Sequence, residues 1–163
     1  MHCAFFAGTA IIGGTTVYML VKSIESLEKM TWCSVALLTV SVVFFVMLIY
    51  TLFFALPFDE TYLNENGKRP AYTEGVYALC RHPGVLWFVG FYMCVGAGMA
   101  DRALLLYGIV VSLWNVLYIV FQDLYSFPKT FYNYMEYKQE TPFLIPDRKS
   151  VRKCLLTLRR GRR

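Results

Sequence analysis

Charge is scarce in this chain, and its scarcity is uneven. Lys, Arg, Asp and Glu make up 17% of the 163 residues, whereas soluble domains carry about 25%. None of the four occurs in residues 3–21, 30–56, 84–100 or 103–121. Uncharged runs of this length point to a membrane solvent rather than to a soluble core. Paired cysteine is also missing. The five cysteines are odd in number and contain no C-x-x-C, so neither a disulfide framework nor a zinc site is supported. Cys3, Cys33 and Cys94 lie in or beside apolar runs and read as small hydrophobes. No basic residue precedes Lys22, so the charged start of a signal peptide is lacking and no cleavable leader is expected. Internal repeats and low-complexity stretches are absent.

What is present is apolar: 57% of the chain is hydrophobic and 17% aromatic. A helix needs about 20 apolar residues to cross about 30 Å of hydrocarbon. The four uncharged runs meet or approach that length, and 30–56 has residues to spare for tilting. The sequence therefore predicts an all-α, polytopic membrane protein with four transmembrane helices. Asp101-Arg102 leaves almost no loop between the third and fourth, which must form a tight hairpin. Gly90, Gly96, Ala97 and Gly98 in the third suit close helix packing. No strand precedes them, so they are not read as a nucleotide-binding loop. Residues 22–29 form a short, charge-balanced connection. Residues 57–83 form a long polar one, broken by Pro57, Gly67, Pro70, Gly75 and Pro83, and connections that long are usually functional or disordered.

The net charge of +5 comes from sixteen basic and eleven acidic residues. The excess lies at the C-terminal end, which argues against nucleic acid and for membrane topology and anionic headgroups. Ten Lys and Arg follow Phe121, from Lys129 and Lys138 to Arg162 and Arg163. The positive-inside rule puts that end in the cytoplasm. Four spans then place the N-terminus and the 57–83 loop there too. The expected organisation is a transmembrane domain over 1–123, followed by an interfacial segment and basic tail over 124–163. The tail's arginines are expected to meet anionic headgroups.

Polar groups at membrane depth are costly, so they are functional candidates. Asn115, Tyr118 and Gln122 share a helix face at spacings of three and four, with Asp123 next. The plainer reading is that Gln122 and Asp123 mark where the helix leaves the bilayer. Arg81-His82-Pro83 precedes the third run. Proline suits a first helical turn, and the donors of Arg81 and His82 beside a helix N-terminus suit an anion. The plainer reading is a snorkelling Arg81. Tyr134-x-x-Tyr137, ahead of Thr141-Pro142-Phe143-Leu144-Ile145-Pro146, suits a short amphipathic interfacial helix that could equally lid a pocket.

Gly75-Val76-Tyr77, Arg81-His82-Pro83, the Asp101-Arg102 hairpin, Gln122-Asp123, Tyr134-x-x-Tyr137 and Leu144-Ile145-Pro146 follow one another in an order that resembles a known pattern. It is that of the isoprenylcysteine carboxyl methyltransferase and phospholipid methyltransferase superfamily of integral membrane enzymes. The likeness covers about residues 75–146. It implies S-adenosylmethionine as methyl donor, a cytoplasm-facing cofactor pocket and a lipid-like acceptor entering from the bilayer. Arg81, His82 and Pro83 would line that pocket. Gln122 and Asp123 would hold polar groups of the cofactor, and Tyr134 and Tyr137 would close it. Tyr118 stands where such enzymes often carry an arginine on the last helix. Gln122 replaces the first acid of their pair, Val85 a tyrosine, and Thr130-Phe131 their F-G. These departures also allow a non-catalytic lipid-binding or assembly protein of the same fold. A nicotinamide-dependent membrane reductase is a third expectation. The resemblance requires neither a metal nor a covalent nucleophile.

Overall fold

The structure is a computed structural model that describes residues 2–24, 30–55 and 70–160. Residues 57–69 of the long connection, residues 25–29 of the short one and the last two arginines lie outside the described residues. Within them the chain is helical, with no strand. Helix α1 spans His2–Ile24, α2 Trp32–Phe53, α3 Pro83–Gly98 and α4 Arg102–Phe121. A π-helical turn over Gln122–Ser126 and a helical turn over Phe127–Thr130 continue α4. Two further helices follow, α5 over Tyr134–Glu140 and α6 over Arg148–Arg160.

The helix ends have local causes. Thr31 caps α2, its Oγ1 accepting the Ser34 N–H at 3.2 Å. Asp101 caps α4, its Oδ1 accepting from the N–H groups of Ala103 and Leu104 at 2.8 and 3.1 Å. Both satisfy amides that a first helical turn leaves unpaired. Pro83 opens α3, where its missing N–H costs nothing. The predicted third run to residue 100 is shortened, because the chain leaves the helix at Met99 and takes a φ of 52° at Ala100 to reverse direction. The predicted second run to residue 56 ends instead at Phe53. The fourth is longer than expected, since the helical path from Arg102 reaches Thr130.

Among the described residues, two helices are long and apolar enough to cross a membrane, Trp32–Phe53 and Arg102–Thr130. The apolar stretches Ala10–Ile24 and Pro83–Gly98 are shorter. Only 11% of the most apolar window of α2, and 22% of that in Arg102–Thr130, is buried inside the protein. A core helix of a soluble protein would be mostly covered. Val42, Val46, Leu113, Trp114 and Leu117 instead present open apolar surface, as a lipid solvent permits.

Helix α3 is the central element, packed extensively on α2 and on α4. Its glycines set how close the neighbours come. A Cβ on Gly96 would meet the Leu105 Cα at 2.8 Å, and one on Gly108 would meet the Tyr92 Cβ at 2.8 Å. The two helices of the hairpin thus seat a side chain of each against a glycine of the other. Val95, Met99 and Leu104 form the small core at the hairpin end. Helix α1 joins through polar contacts: the Thr16 and Tyr92 hydroxyls are 2.6 Å apart, and the Ser23 hydroxyl donates to Asp101 Oδ2 at 2.5 Å.

Candidate functional site

The end of the bundle away from the hairpin carries the polar chemistry. Gly75, with a φ of +58°, turns the chain into a 3-10 turn over Gly75–Ala78 that leads to α3. A residue with a side chain resists that conformation. The Tyr77 hydroxyl donates to the Thr51 carbonyl at 3.2 Å, and Trp87 Nε1 donates to the Thr51 hydroxyl at 3.0 Å. The turn and the start of α3 are thereby tied to the end of α2. The Arg81 N–H donates to the Pro142 carbonyl at 2.9 Å, which brings the segment after α5 over the start of α3. Asn133 grips Ala71 at two points, accepting its N–H at 2.6 Å and donating to its carbonyl at 3.2 Å.

At the centre is Asp123, which is 3% exposed. Its Oδ1 accepts from the Tyr134 hydroxyl at 2.5 Å and lies 3.3 Å from Arg81 Nε and 3.4 Å from His82 Nε2. Lys138 Nζ is 3.1 Å from Oδ2. Aromatic rings wall the group. His82 stacks on Phe127 with centroids 5.7 Å apart and meets the Phe143 edge at 5.2 Å. The Arg81 guanidinium lies over Phe143 at 5.5 Å, within cation–π range. Tyr137 packs edge-on to Tyr134, and its hydroxyl donates to the Tyr77 carbonyl at 2.6 Å.

The cluster's charge is unbalanced. Arg81 and Lys138 bring two cations and Asp123 one anion. Burial holds His82 below the ordinary imidazole range, and this outweighs the opposing pull of Asp123. The ring is therefore neutral at pH 7, and its contact with Asp123 is a long hydrogen bond rather than an ion pair. Burial, together with the neighbouring Asp123, also pushes the Tyr134 phenol up, so it stays a donor. Arg81 Nε is close to Asp123 but not aligned for a hydrogen bond. Arg81 Nε and Nη1 and the Thr141 hydroxyl are buried without a hydrogen-bond partner among the described residues. Orphaned buried donors are rare in folded proteins and ask for an explanation.

Five of the eight site residues expected from sequence meet here: Arg81, His82, Asp123 and Tyr134 in direct contact, and Tyr137 beside them. Pro83 is fully buried at the start of α3. Gln122 is half-buried, and its side chain makes no hydrogen bond to this cluster. Tyr118 is 53% exposed and is not brought to the site. The expected face of Asn115, Tyr118 and Gln122 is therefore not the one that turns inward. The buried stripe of this helix is Leu104, Gly108, Ser112, Ile119 and Asp123, one residue round from Tyr118 and Gln122. A helix turns about 100° per residue, so one position decides which side chain enters.

Lys138, Phe127, Phe143 and Thr141 were not among the site residues expected from sequence. Lys138 is four residues after Tyr134 and so on its face of α5, a signal the sequence did offer. The π-helical turn was not visible in advance. It ends where the Phe127 N–H reaches back to the Gln122 carbonyl, just before Pro128, which has no N–H to continue the regular pattern. Single π turns concentrate at functional sites, and this one contains Asp123.

Comparison of the chain with protein-family profiles, with curated proteins and with solved structures finds no match.

The buried neutral His82 makes stability depend on pH. In the unfolded chain its imidazole takes up a proton as the pH falls below 6.5, while the folded protein resists protonation. Stability should therefore drop as pH falls from that value toward the lower folded pKa. The thermal midpoint is expected to fall between about pH 7.5 and about pH 5.5, and less steeply in His82→Gln. Equal slopes in the two proteins would contradict the assignment.

Proposed function

We propose that this protein is an integral membrane methyltransferase that uses S-adenosylmethionine and acts on a lipid or lipid-linked small molecule. In this reading all four apolar helices cross the bilayer, and both termini and the Asp123 end of the bundle face the cytoplasm. One observation carries the proposal. Three segments distant in sequence, Arg81-His82 before α3, Asp123 after α4 and Tyr134 on α5, converge within hydrogen-bonding distance at one end of the bundle. They are the segments that carry the family resemblance.

The residues present suit the cofactor. Its carboxylate matches the positive excess of the cluster and the unpaired donors of Arg81 and Thr141. Its sulfonium suits the ring faces of Phe127, Phe143 and Tyr134. When bound, S-adenosylmethionine supplies a methyl group that already carries its leaving group. The protein's part is then to orient and to exclude water. Arg81 anchors, His82 stays neutral between two phenyl rings, and Asp123 holds Arg81, Tyr134 and Lys138 in register. The test is equilibrium binding of radiolabelled S-adenosylmethionine to the protein in nanodiscs. Saturable binding is expected, weakened at least about tenfold in Arg81→Ala, which removes a charge-assisted contact. Folded protein with no saturable binding at millimolar cofactor would remove the proposal.

A second reading rests on the engagement of Asp123, whose oxygens already serve four protein groups while Gln122 stands aside. It is a lipid-binding or assembly protein that has kept the fold without the chemistry. Gln122→Glu separates the two. A gain of cofactor binding supports lost chemistry, and a loss supports a site adapted to glutamine. Tight NADPH binding without S-adenosylmethionine binding would instead favour a reductase.

A further inference from the structure

We propose that α6 is a docking surface for anionic lipid, lying on the bilayer face at the Asp123 end of the bundle. The proposal rests on the membrane reading above but not on methyl transfer. At 100° per residue α6 divides into three strips. Ser150, Cys154 and Thr157 face the protein, the first two buried, and the Thr157 hydroxyl accepts the Gly75 N–H at 3.0 Å. Next to that strip Val151, Leu155 and Leu158 are 41%, 58% and 39% exposed. Arg148, Lys149 and Arg152 on the far strip are exposed and have no ion-pair partner among the described residues, with Leu156, 58% exposed, lying between Arg152 and Lys149. Ile145, just before the helix, is a further apolar side chain, 80% exposed.

Position makes the bilayer the occupant. Helix α6 packs on the Gly75–Ala78 turn, and Tyr77 in that turn bonds to Thr51 near the end of α2. The helix is therefore held at the level where the apolar runs of α2 and α3 meet polar sequence, which is where headgroups begin. An apolar strip bordered by unpaired cations suits that boundary, with leucines in the acyl margin and arginines among phosphates. A second copy is a poorer occupant, because a symmetric contact through this face sets basic residues against basic residues. The Lys153–Glu140 ion pair at 2.7 Å ties the docked helix to α5, which carries Tyr134 and Lys138.

The test uses the full chain with Leu155 replaced by photoreactive p-benzoylphenylalanine, in nanodiscs with or without anionic phospholipid. After illumination, adducts are identified by mass spectrometry. Lipid adducts are expected, more abundant in anionic discs and reduced by high salt. In Arg148→Gln/Lys149→Gln/Arg152→Gln they should fall toward the zwitterionic level, since each cation lost weakens docking about fivefold. Equal yields in the two disc types, adducts to protein in place of lipid, or no adducts would each overturn the proposal. A chain that fails to enter nanodiscs would instead overturn the membrane reading beneath it. Cofactor plays no part in the readout, so failure of the methyltransferase proposal leaves the result interpretable.

Discussion

Asp123→Ala is expected to destabilise the protein by about 3–5 kcal/mol, the usual consequence of removing one partner from a buried charge pair. The Arg81 side chain is 6% exposed and Asp123 4% exposed. Without the carboxylate, a guanidinium that already lacks hydrogen-bond partners at Nε and Nη1 loses its only close anion among the described residues. The Tyr134 hydroxyl also loses the acceptor it meets at 2.5 Å. Tyr134→Phe removes that single bond and should cost less, about 1.5–3 kcal/mol for a hydrogen bond to a charged group. Lys138 is 33% exposed, and its loss should cost least because water can replace it. Denaturation of the purified protein in detergent measures all three. The decisive comparison is the double variant Arg81→Met/Asp123→Leu. It leaves no unpaired buried charge and should recover much of the loss seen in Asp123→Ala. An equal or greater loss would show that the cluster does not act as a charge pair.

The second large effect is expected at the helix hairpin. Gly96→Ala places a methyl group where the Leu105 Cα stands 2.8 Å from the ideal Cβ position. A backbone atom cannot swing aside as a side-chain tip can, so α3 and α4 must separate. Overpacking of this kind costs about 1–3 kcal/mol. It should be larger in Gly96→Val, whose branches point into the same contact. Gly108→Ala meets the Tyr92 Cβ at the same distance and should behave alike. Gly13→Ala in α1 is the control, because nothing lies within 4 Å of its added carbon. That change should be neutral or stabilise by up to about 1 kcal/mol, since alanine is the better helix former. If Gly96→Ala unfolds no more readily than Gly13→Ala, the hairpin is not packed through these glycines.

Much of the architecture was legible because its causes are local or compositional. The run 30–56 contains α2, and the run 103–121 falls within α4. The Asp101-Arg102 junction is the hairpin turn, with Asp101 capping the next helix as its residue type favours. The ends were less legible. Ala100 could have continued a helix, yet it adopts a positive φ at the helix end, where the Asp101 N–H turns back to the Gly96 carbonyl at 3.3 Å. The site was legible in part. Arg81, His82, Asp123 and Tyr134 stood out as polar groups beside apolar runs. Tyr118 and Gln122 were chosen with them because spacing alone locates a helix face without saying which face is buried. That choice belongs to α3, which covers the stripe ending in Asp123.

By itself the sequence determined that this chain is helical, where its long apolar segments lie, and that its cations gather at one end. Those properties depend on hydrophobicity and charge along the chain, which need no partner to be expressed. Tertiary structure alone decided that one carboxylate gathers Arg81, His82, Tyr134 and Lys138. It also decided that Gln122 is left out and that α6 turns its leucines outward. Each of these depends on how helices rotate about their axes when they pack, and a single residue of rotation exchanges one side chain for the next.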